Sequence, residues 1–459
     1  MIVIMMKNPS KGSYALISLG CPKNLIDTER MAGLLRLDGY RLVKQPTSAD
    51  FVVINTCGFI ADAREESHRA IEEMLELKAK GRIRGVIVTG CLAERDERDK
   101  DRLIQKYPQI DQLVGVFGRE DIVAAVGRMY DGLSEQRTIF RPAPSRPPED
   151  THRLRITPRH LAFLKIAEGC NRLCSFCSIP RMRGPYASKP VEQIAVEAEE
   201  LAADGVKELI LIAQDTSFYG IDLYGEPKLA ELLQKLDKIE GLEWIRLMYL
   251  YPMHITDGLI ETIASADKIL PYLDLPLQHI NDEILSRMKR RVTRSESEEL
   301  IHRLRERIDS LVLRTTLIAG FPGETEGQFQ ELLDFVEKQR FERLGAFAYC
   351  EEPGTASVEL DGKLPEDVKN ARRDRILAAQ QEVAFSWNKA QIGRQMEVII
   401  DSYIPKQSNA YIGRSYADAP EIDGVVYVTG ANLKPGQILP AEIVAYKGYD
   451  LIAVACKAE

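Results

Sequence analysis

The sequence has no long hydrophobic run and few cysteines. Nowhere do about eighteen apolar residues follow one another, so no segment is predicted to cross a membrane. The apolar start Met1–Met6 is too short for the core of a signal peptide. Eight cysteines in 459 residues are too few for a disulfide scaffold. We therefore expect a cytoplasmic protein, with no membrane partner, whose cysteines serve as metal ligands or as buried thiols.

An excess of positive charge is also missing. The 69 acidic residues outnumber the 61 basic ones, and the net charge of -8 argues against a protein that mainly coats nucleic acid. A local basic groove remains compatible with this charge. The chain is too long for one ordinary hydrophobic core, so we expect two or three domains.

Three cysteines lie close together in one short segment, with three and then two residues between them. They are Cys170, Cys174 and Cys177, in the sequence EGCNRLCSFC. Three thiolates at this spacing can ligate three irons of a 4Fe-4S cube, and no fourth cysteine lies nearby to bind the last iron. An open metal position is typical of catalytic sites, because a substrate or cofactor can bind there.

Zinc and disulfide bonds are the other uses of clustered cysteines. Structural zinc sites usually combine two CxxC pairs or pair cysteines with histidines, and none of the six histidines falls in this segment. The spacing favours a cluster without excluding the alternatives. The triplet resembles the signature of the radical S-adenosylmethionine (SAM) superfamily. That resemblance implies that SAM binds the open iron and is cleaved by an electron from the cluster to give a 5′-deoxyadenosyl radical.

Three further cysteines each stand at the end of a predicted strand. Residues 14–130 alternate β-rich runs with amphipathic stretches, which predicts an open parallel sheet flanked by helices. Ligands bind at the carboxyl ends of such strands, where these thiols can converge. Each alone is better explained as a small buried hydrophobe, but three at equivalent strand ends reverse this preference and favour a second cluster, again with one open iron. The strands and their cysteines are Tyr14–Leu19 with Cys21, Phe51–Asn55 with Cys57, and Gly85–Thr89 with Cys91.

A proline-rich segment at 141–148 predicts an extended linker. Beyond it, six β-rich runs alternate with helical patterns such as Val191–Ala203 and Ser297–Ile308, which predicts a parallel barrel, complete or partial. The cysteine triplet follows the first run, on the ligand-binding side of such a barrel. The predicted strands are Leu161–Ile166, Glu208–Ala213, Trp244–Leu250, Tyr272–Leu277, Leu313–Ile318 and Leu344–Tyr349.

This arrangement resembles the radical SAM core, and the resemblance extends to the segment Ile318–Glu324. In that superfamily a glycine-proline segment packs against the adenosyl group. Glycine and proline also mark ordinary turns, and Gln214 can equally face water. The SAM contacts that the resemblance implies are Phe176, Gln214, Gly320, Phe321 and Pro322.

The last part of the chain changes to β-branched and aromatic runs separated by turns. It predicts a five-stranded antiparallel barrel of OB-like size, and it resembles a TRAM domain. OB-like folds often bind nucleic acid, but residues 391–459 contain six basic and eight acidic residues. The acidic segment Tyr416–Gly424 is either a solvated loop or a surface for a basic partner. The predicted strands are Met396–Ile400, Ala410–Gly413, Gly424–Thr429, Gln437–Val444 and Leu451–Ala455.

Together the three parts resemble the radical SAM methylthiotransferases over nearly the whole chain. The predicted fold is α/β, with an N-terminal open parallel α/β sheet domain, a central radical SAM (βα)6 partial barrel and a C-terminal five-stranded OB-like TRAM barrel. The predicted boundaries are 12–130 for the cluster-binding domain, 131–155 for the linker, 156–386 for the core and 388–459 for the TRAM domain.

Within this family, Gly20–Asn24 and Ala417–Gly424 most resemble the RimO-type branch, which modifies an aspartate of ribosomal protein twelve of the small subunit. The resemblance implies methylthio insertion at the β-carbon of that aspartate, with SAM as radical source and methyl donor. No acid or base can readily attack an unactivated C–H bond, so the cofactor must supply the radical. No catalytic residue is assigned beyond the ligands of two 4Fe-4S clusters, namely Cys21, Cys57 and Cys91, and Cys170, Cys174 and Cys177.

The implied partners are the ribosomal protein, docked by the TRAM domain, and a reductant such as a flavodoxin or ferredoxin. An acidic end domain suits a basic protein, which ranks tRNA lower as a substrate. Two alternatives stay open. One is a tRNA isopentenyladenosine methylthiotransferase, which shares all six cysteines, and the other is a non-enzymatic iron-sulfur carrier or scaffold. The remaining Cys350 and Cys456 are predicted to be buried structural thiols.

Overall fold

The computed structural model describes residues 10–95 and 102–456. The chain forms two compact units that are not contiguous in sequence. The first contains the residues up to Ile156 together with Glu168–Asn171 and Ser178–Ala187. The second contains Thr157–Ala167, Arg172–Cys177 and the residues from Ser188 onward.

The first unit contains a six-stranded parallel sheet in the order β2-β1-β3-β4-β5-β6. Its strands are β1 Gly12–Ser18, β2 Tyr40–Leu42, β3 Phe51–Thr56, β4 Gly85–Gly90, β5 Gln112–Val114 and β6 Thr138–Ile139. Its helices are α1 Pro22–Leu37, α2 Ala61–Ala79, α3 Cys91–Arg95, α4 Arg102–Lys106 and α5 Ile122–Tyr130.

Both faces of this sheet are buried. Successive side chains of a strand point to opposite faces. Val53 and Ile87 therefore pack with residues of α1 and α5, while Val52 and Val88 pack with residues of α2 on the other side. Strands buried on both faces have continuous apolar runs, which is the pattern that predicts β3 and β4 from sequence.

The three short strands of this sheet escape sequence prediction. Tyr40–Leu42, Gln112–Val114 and Thr138–Ile139 have two or three residues each, too few to show a period. The last of them lies inside the segment predicted as a linker, whose later residues have no regular structure.

The next elements continue in chain order after the linker. The strands are β7 Leu161–Lys165, β8 Ala167–Glu168, β9 Ala187–Ser188, β10 Glu208–Ile212, β11 Trp244–Leu247, β12 Ile269–Asp274, β13 Val312–Ala319 and β14 Arg343–Ala348. The helices are α6 Ile179–Arg183, α7 Val191–Ala203, α8 Ile221–Tyr224, α9 Leu229–Leu236, α10 Asp257–Ser265, α11 Asp282–Arg287, α12 Arg294–Arg307, α13 Glu326–Gln339 and α14 Glu366–Gln391.

Six of these strands form the open parallel sheet of the second unit, in the order β14-β13-β12-β11-β10-β7. The two outer strands, β7 and β14, are the first and last of the six in sequence. Each consecutive pair is joined by a helical connection, as in a (βα) barrel that has not closed. The predicted partial barrel is confirmed.

The end of the chain forms a closed five-stranded barrel in the order β15-β16-β17-β19-β18. Four of its five strand pairs are antiparallel, and the pair β17–β19 is parallel. A ring with an odd number of strands cannot alternate direction throughout, so one parallel pair is required. The strands are β15 Gln395–Tyr403, β16 Ala410–Ser415, β17 Val426–Thr429, β18 Ile438–Lys447 and β19 Asp450–Ala455.

The acidic loop of this end barrel is held by basic residues of the sheet in the second unit. Asp418 accepts hydrogen bonds from Arg343 at 2.7 and 3.2 Å, and its side chain is buried. Asp423 accepts a hydrogen bond from the Tyr272 hydroxyl at 2.7 Å and lies 3.6 Å from Arg314. Burial raises the pKa of Asp423, which the nearby arginines partly offset. Two of the three acids in the loop are therefore internal counter-charges.

A second buried network joins the same two parts of this unit. Glu208 pairs with Arg246 at 2.8 Å and with Arg414 at 2.7 Å. Arg414 also pairs with Asp401 at 2.8 Å, and the Asp401 carboxylate lies 2.8 Å from His160. The acidic loop was predicted to be a possible surface for a basic partner, but most of its charge is already bound within the chain.

Arg414, Asp401, Asp418 and Asp423 are all engaged in these contacts. Without these four residues, residues 391–459 retain five basic and five acidic residues.

None of the helices within the described ranges combines the length and the apolar character that a membrane span requires.

Replacing Asp418 by Asn should lower the free energy of unfolding by about 3–5 kcal/mol, because it leaves the buried Arg343 without its counter-charge. Glu421→Gln, in the same loop but exposed, is the matched control and should stay within about 0.5 kcal/mol of the parent. Urea denaturation followed by circular dichroism measures both. Equal effects of the two substitutions would show that the loop is not anchored by this ion pair.

Candidate metal centres

The three N-terminal cysteines lie at the carboxyl ends of neighbouring strands. Cys21 caps the start of α1 after β1, Cys57 follows β3, and Cys91 begins α3 after β4. Because β1, β3 and β4 are adjacent in the sheet, the three loops lie side by side. Cys21 is exposed, whereas Cys57 and Cys91 are 8% and 6% exposed. All three are free thiols.

Glycines allow these loops to touch. Gly20 has a φ of +88°, and a Cβ there would lie 2.9 Å from the Cys57 sulfur. A Cβ at Gly58 would lie 2.6 Å from the carbonyl oxygen of Cys91. Both distances are too short for a side-chain carbon, so only glycine permits this approach.

Asparagine side chains fix the strand ends beneath the thiols. The Asn24 amide donates to the carbonyl oxygens of Leu19 at 3.0 Å and Thr56 at 2.8 Å, which joins the ends of β1 and β3. The Asn55 amide donates in turn to the Asn24 carbonyl at 2.8 Å. Sequence reasoning gave Asn24 no role, although it lies three residues after Cys21.

A buried arginine lies against this set of thiols. The Arg183 Nε donates to the Cys91 sulfur at 3.3 Å, and its Nη1 donates to Asp27 at 2.7 Å and to Glu168 at 3.3 Å. Its Nη2 donates to the Asn24 side-chain oxygen. Burial raises the pKa of Cys91 to about 12, and the Arg183 charge acts in the opposite direction. Burial likewise raises the pKa of Cys57.

These residues fit an iron-sulfur cluster. Within residues 10–95 and 102–456, no three His, Cys, Asp or Glu side chains are placed to chelate one metal ion. A 4Fe-4S cube spreads its ligands over different irons, so its thiols need not meet at one point. An all-thiol set, close backbone approach and a cation against one sulfur suit an anionic cluster. Ligation by Cys21, Cys57 and Cys91 remains a prediction.

The cysteine triplet follows β7, and its last two cysteines are joined by a tight turn. The Cys177 amide donates to the Cys174 carbonyl at 3.1 Å. Ser175 anchors the turn, because its amide donates to the Met288 carbonyl at 3.0 Å and its hydroxyl to the Arg287 carbonyl at 2.8 Å. Cys170, Cys174 and Cys177 are all partly exposed and form no disulfide bond, so they remain candidate ligands.

The predicted SAM contacts fall into different environments. Phe321 is fully buried and packs edge-on against Phe176 and Tyr349, with ring centroids 6.4 and 5.1 Å away. The Gly320 amide donates to the Glu324 carboxylate at 3.0 Å. These observations place Gly320 and Phe321 in the packing of the turn.

Two other predicted contacts differ from these. The Pro322 carbonyl accepts a hydrogen bond from Arg287 Nε at 3.0 Å. Gln214 has a buried side-chain oxygen that accepts no hydrogen bond within the described residues. An unsatisfied buried acceptor is unfavourable, so a bound donor would stabilise it. Gln214 is therefore the predicted contact with structural support for a ligand.

Sequence reasoning missed an aromatic and cationic stack beside the triplet. Arg172, which lies between two of its cysteines, donates to Asp215 at 2.7 Å. Its guanidinium lies 4.2 Å from the centre of the Tyr251 ring, and that of Arg290 lies 4.4 Å from the same ring. The sequence signal that could have indicated this stack is the position of Arg172 between two cysteines of the triplet.

Cys350 was predicted to be a buried thiol, and this is wrong because its side chain is exposed. Cys456, also predicted to be buried, is partly exposed. Strand β14 ends at Ala348, two residues before Cys350, and it is an edge strand of the sheet. A residue beyond the end of an edge strand has no neighbouring strand to cover it.

Three family models match successive parts of the chain. They are the uncharacterized protein family UPF0004 over residues 13–115, the radical SAM superfamily over 164–336 and the TRAM domain over 392–456. The ribosomal protein uS12 methylthiotransferase RimO of Pelotomaculum thermopropionicum is 46% identical, covering 95% of this chain and 97% of its own. The chain belongs to the RimO methylthiotransferase family. RimO of a Thermoanaerobacter species is 44% identical, covering 96% of this chain and 99% of its own.

Membership of this family confirms the predicted three-part fold and makes the chain a radical SAM transferase that uses SAM and 4Fe-4S clusters. The predicted alternative of a non-enzymatic carrier is wrong. Among solved structures, the radical SAM methyltransferase TsrM from Kitasatospora setae, with tryptophan and a SAM analogue bound, has a TM-score of 0.55. It is 15% identical and covers 73% of this chain and 72% of its own, so it supports the fold alone.

In the cluster-free protein, iodoacetamide at about pH 8 should modify Cys21 far faster than Cys91. Cys21 is exposed, whereas Cys91 is buried with a pKa of about 12, so only about one Cys91 thiol in ten thousand is ionised at that pH. Mass spectrometry of the labelled peptides gives both rates. The same labelling in urea is the control and should equalise the rates, whereas equal rates in the folded protein would contradict the burial of Cys91.

Proposed function

We propose that this protein inserts a methylthio group at the β-carbon of an aspartate in ribosomal protein uS12, with SAM as radical source and methyl donor. The observation that carries the proposal is the 46% identity to a uS12 methylthiotransferase over nearly the full length of both chains. We propose that the protein acts in the cytoplasm, because the ribosomal substrate and reduced thiols occur together there.

The proposed ligands of one cluster are Cys21, Cys57 and Cys91, supported by their position at three adjacent strand ends. Those of the other are Cys170, Cys174 and Cys177, supported by their spacing and by their position after β7. When bound, the clusters and SAM supply the electron and the radical that side chains lack.

The chain's own residues are proposed to hold these groups in place. Asn24 and Asn55 fix the strand ends that carry the N-terminal thiols, and Ser175 fixes the turn of the triplet. Gln214 is proposed to accept a hydrogen bond from SAM, because its buried oxygen is otherwise unsatisfied. We propose that Phe176, Gly320, Phe321 and Pro322 shape the turn beside the bound SAM. Phe176 is only partly buried, and we propose that it contacts SAM directly.

The domain boundaries of 12–130, 131–155, 156–386 and 388–459 also stand as proposals. We propose that the end barrel docks uS12 and that a flavodoxin or ferredoxin supplies electrons. Docking cannot depend on Asp418 and Asp423, because both carboxylates are bound by residues of the same chain. The preference for a protein over tRNA therefore comes from the relatives and not from the charge of the end barrel.

Iron counting tests the ligand sets. After anaerobic reconstitution the parent should hold about eight irons per chain, and replacing either cysteine triplet by alanine should remove about four. Cys350→Ala is the matched control and should change nothing, because this thiol lies outside both sets. A triplet variant that keeps the full iron content would contradict its assignment.

Incubation with dithionite, SAM and either uS12 or tRNA tests the substrate. We expect 5′-deoxyadenosine and a methylthio group on a uS12 aspartate, both detected by mass spectrometry. The triple variant of Cys170, Cys174 and Cys177 should form neither product. A methylthio group on tRNA, with uS12 unmodified, would contradict the proposed substrate but not the proposed radical chemistry.

A further inference from the structure

Arg183 places a permanent positive charge directly against one thiol of the N-terminal set. Its side chain is 1% exposed, and its Nε lies 3.3 Å from the Cys91 sulfur. The same guanidinium binds the Asn24 oxygen, and Asn24 joins the strand ends that carry the other two thiols. One side chain therefore contacts both a candidate ligand and the residue that orders the site.

Ion pairing with carboxylates alone does not explain this position. Arg119 is also buried, with a side chain 5% exposed. It pairs with the same two carboxylates, Asp27 and Glu168, and in addition with Asp150. Within the described residues Arg119 donates no hydrogen bond to a thiol. The two arginines share their acidic partners, and the contact with Cys91 distinguishes them.

Arg183 reaches this position from the segment that follows the other cysteine set. It lies six residues after Cys177, at the end of α6. Residues Ser178–Ala187 belong to the first compact unit, so the contact of Arg183 with Cys91 lies within one body.

A hydrogen bond from a cation to a ligand sulfur has a known effect on iron-sulfur clusters. It withdraws electron density from the sulfur and stabilises the more negative, reduced state, so the reduction potential rises. A buried guanidinium is effective here because its charge is little screened by water.

We propose that Arg183 is a positioning residue of the N-terminal cluster, which orients Cys91 and raises the reduction potential of that cluster. The inference rests on the proposed function, since the ligand role of Cys91 is part of it. Nothing in the spacing of the cysteines indicates this residue.

The test uses the full chain with Cys170, Cys174 and Cys177 replaced by alanine, so that only the N-terminal cluster is loaded. Arg183→Met is compared with Arg119→Met in this background, and iron content and the midpoint potential from an EPR-monitored redox titration are measured. We expect Arg183→Met to shift the midpoint to more negative potential. Arg119→Met should leave it near that of the background. Arg183→Lys should give a smaller negative shift, because the charge remains and the fork geometry is lost.

Equal shifts in Arg183→Met and Arg119→Met would overturn the proposal, because Arg183 would then act only through the shared carboxylates. If either methionine variant fails to fold, the comparison of Arg183→Lys with Arg119→Lys decides the same question by the same potential. A background protein that binds no iron would instead overturn the proposed ligand set, and is distinguished by iron content alone.

Discussion

Parallel strands leave their carboxyl ends at one edge of a sheet, and the candidate metal centres depend on this constraint. The cysteines after β1, β3 and β4 are far apart in sequence, and the adjacency of those strands brings their loops together. Hydrogen bonds from Asn24 and Asn55 hold the strand ends at the required spacing. The triplet follows the carboxyl end of β7 in a different sheet, and there one short segment of the chain supplies all three thiols.

Charge burial is the second constraint. Arginines such as Arg183 and Arg343 are almost inaccessible to water and are paired with buried carboxylates, Arg183 with Asp27 and Glu168 and Arg343 with Asp418. Desolvation of such groups is unfavourable unless geometry and hydrogen bonding compensate for it. Around the N-terminal thiols the carboxylates Asp27 and Glu168 help to hold the Arg183 guanidinium in place, and in the second unit such pairs bind the acidic loop of the end barrel to the sheet.

Much of the fold was predictable because its strands are buried on both faces and its helices carry clear signals. Helix α7 has the predicted bounds, Val191–Ala203. Helix α12 begins earlier than its predicted start at Ser297, because Thr293 and Glu296 form a capping box that apolar periodicity does not register. The ends of the strands and their cysteines were also accessible to sequence reasoning, since glycines mark them. The partners of charged side chains were not. Composition counts Asp418 and Asp423 as acidic surface, and only the tertiary structure reveals the arginines and the tyrosine that bind them.

The path of the chain through its two units has a consequence for modularity. The first unit is incomplete at Ile156, because it also needs Glu168–Asn171 and Ser178–Ala187, which the chain supplies after it has entered the second unit. A gene fragment that ends at the proline-rich segment would therefore encode an incomplete first unit, and the fragment that follows would encode the second unit together with pieces of the first. To exchange one unit between relatives, the two sequences must be joined at every point where the chain passes from one unit to the other. The two units are thus expected to be inherited together and not shuffled as independent cassettes.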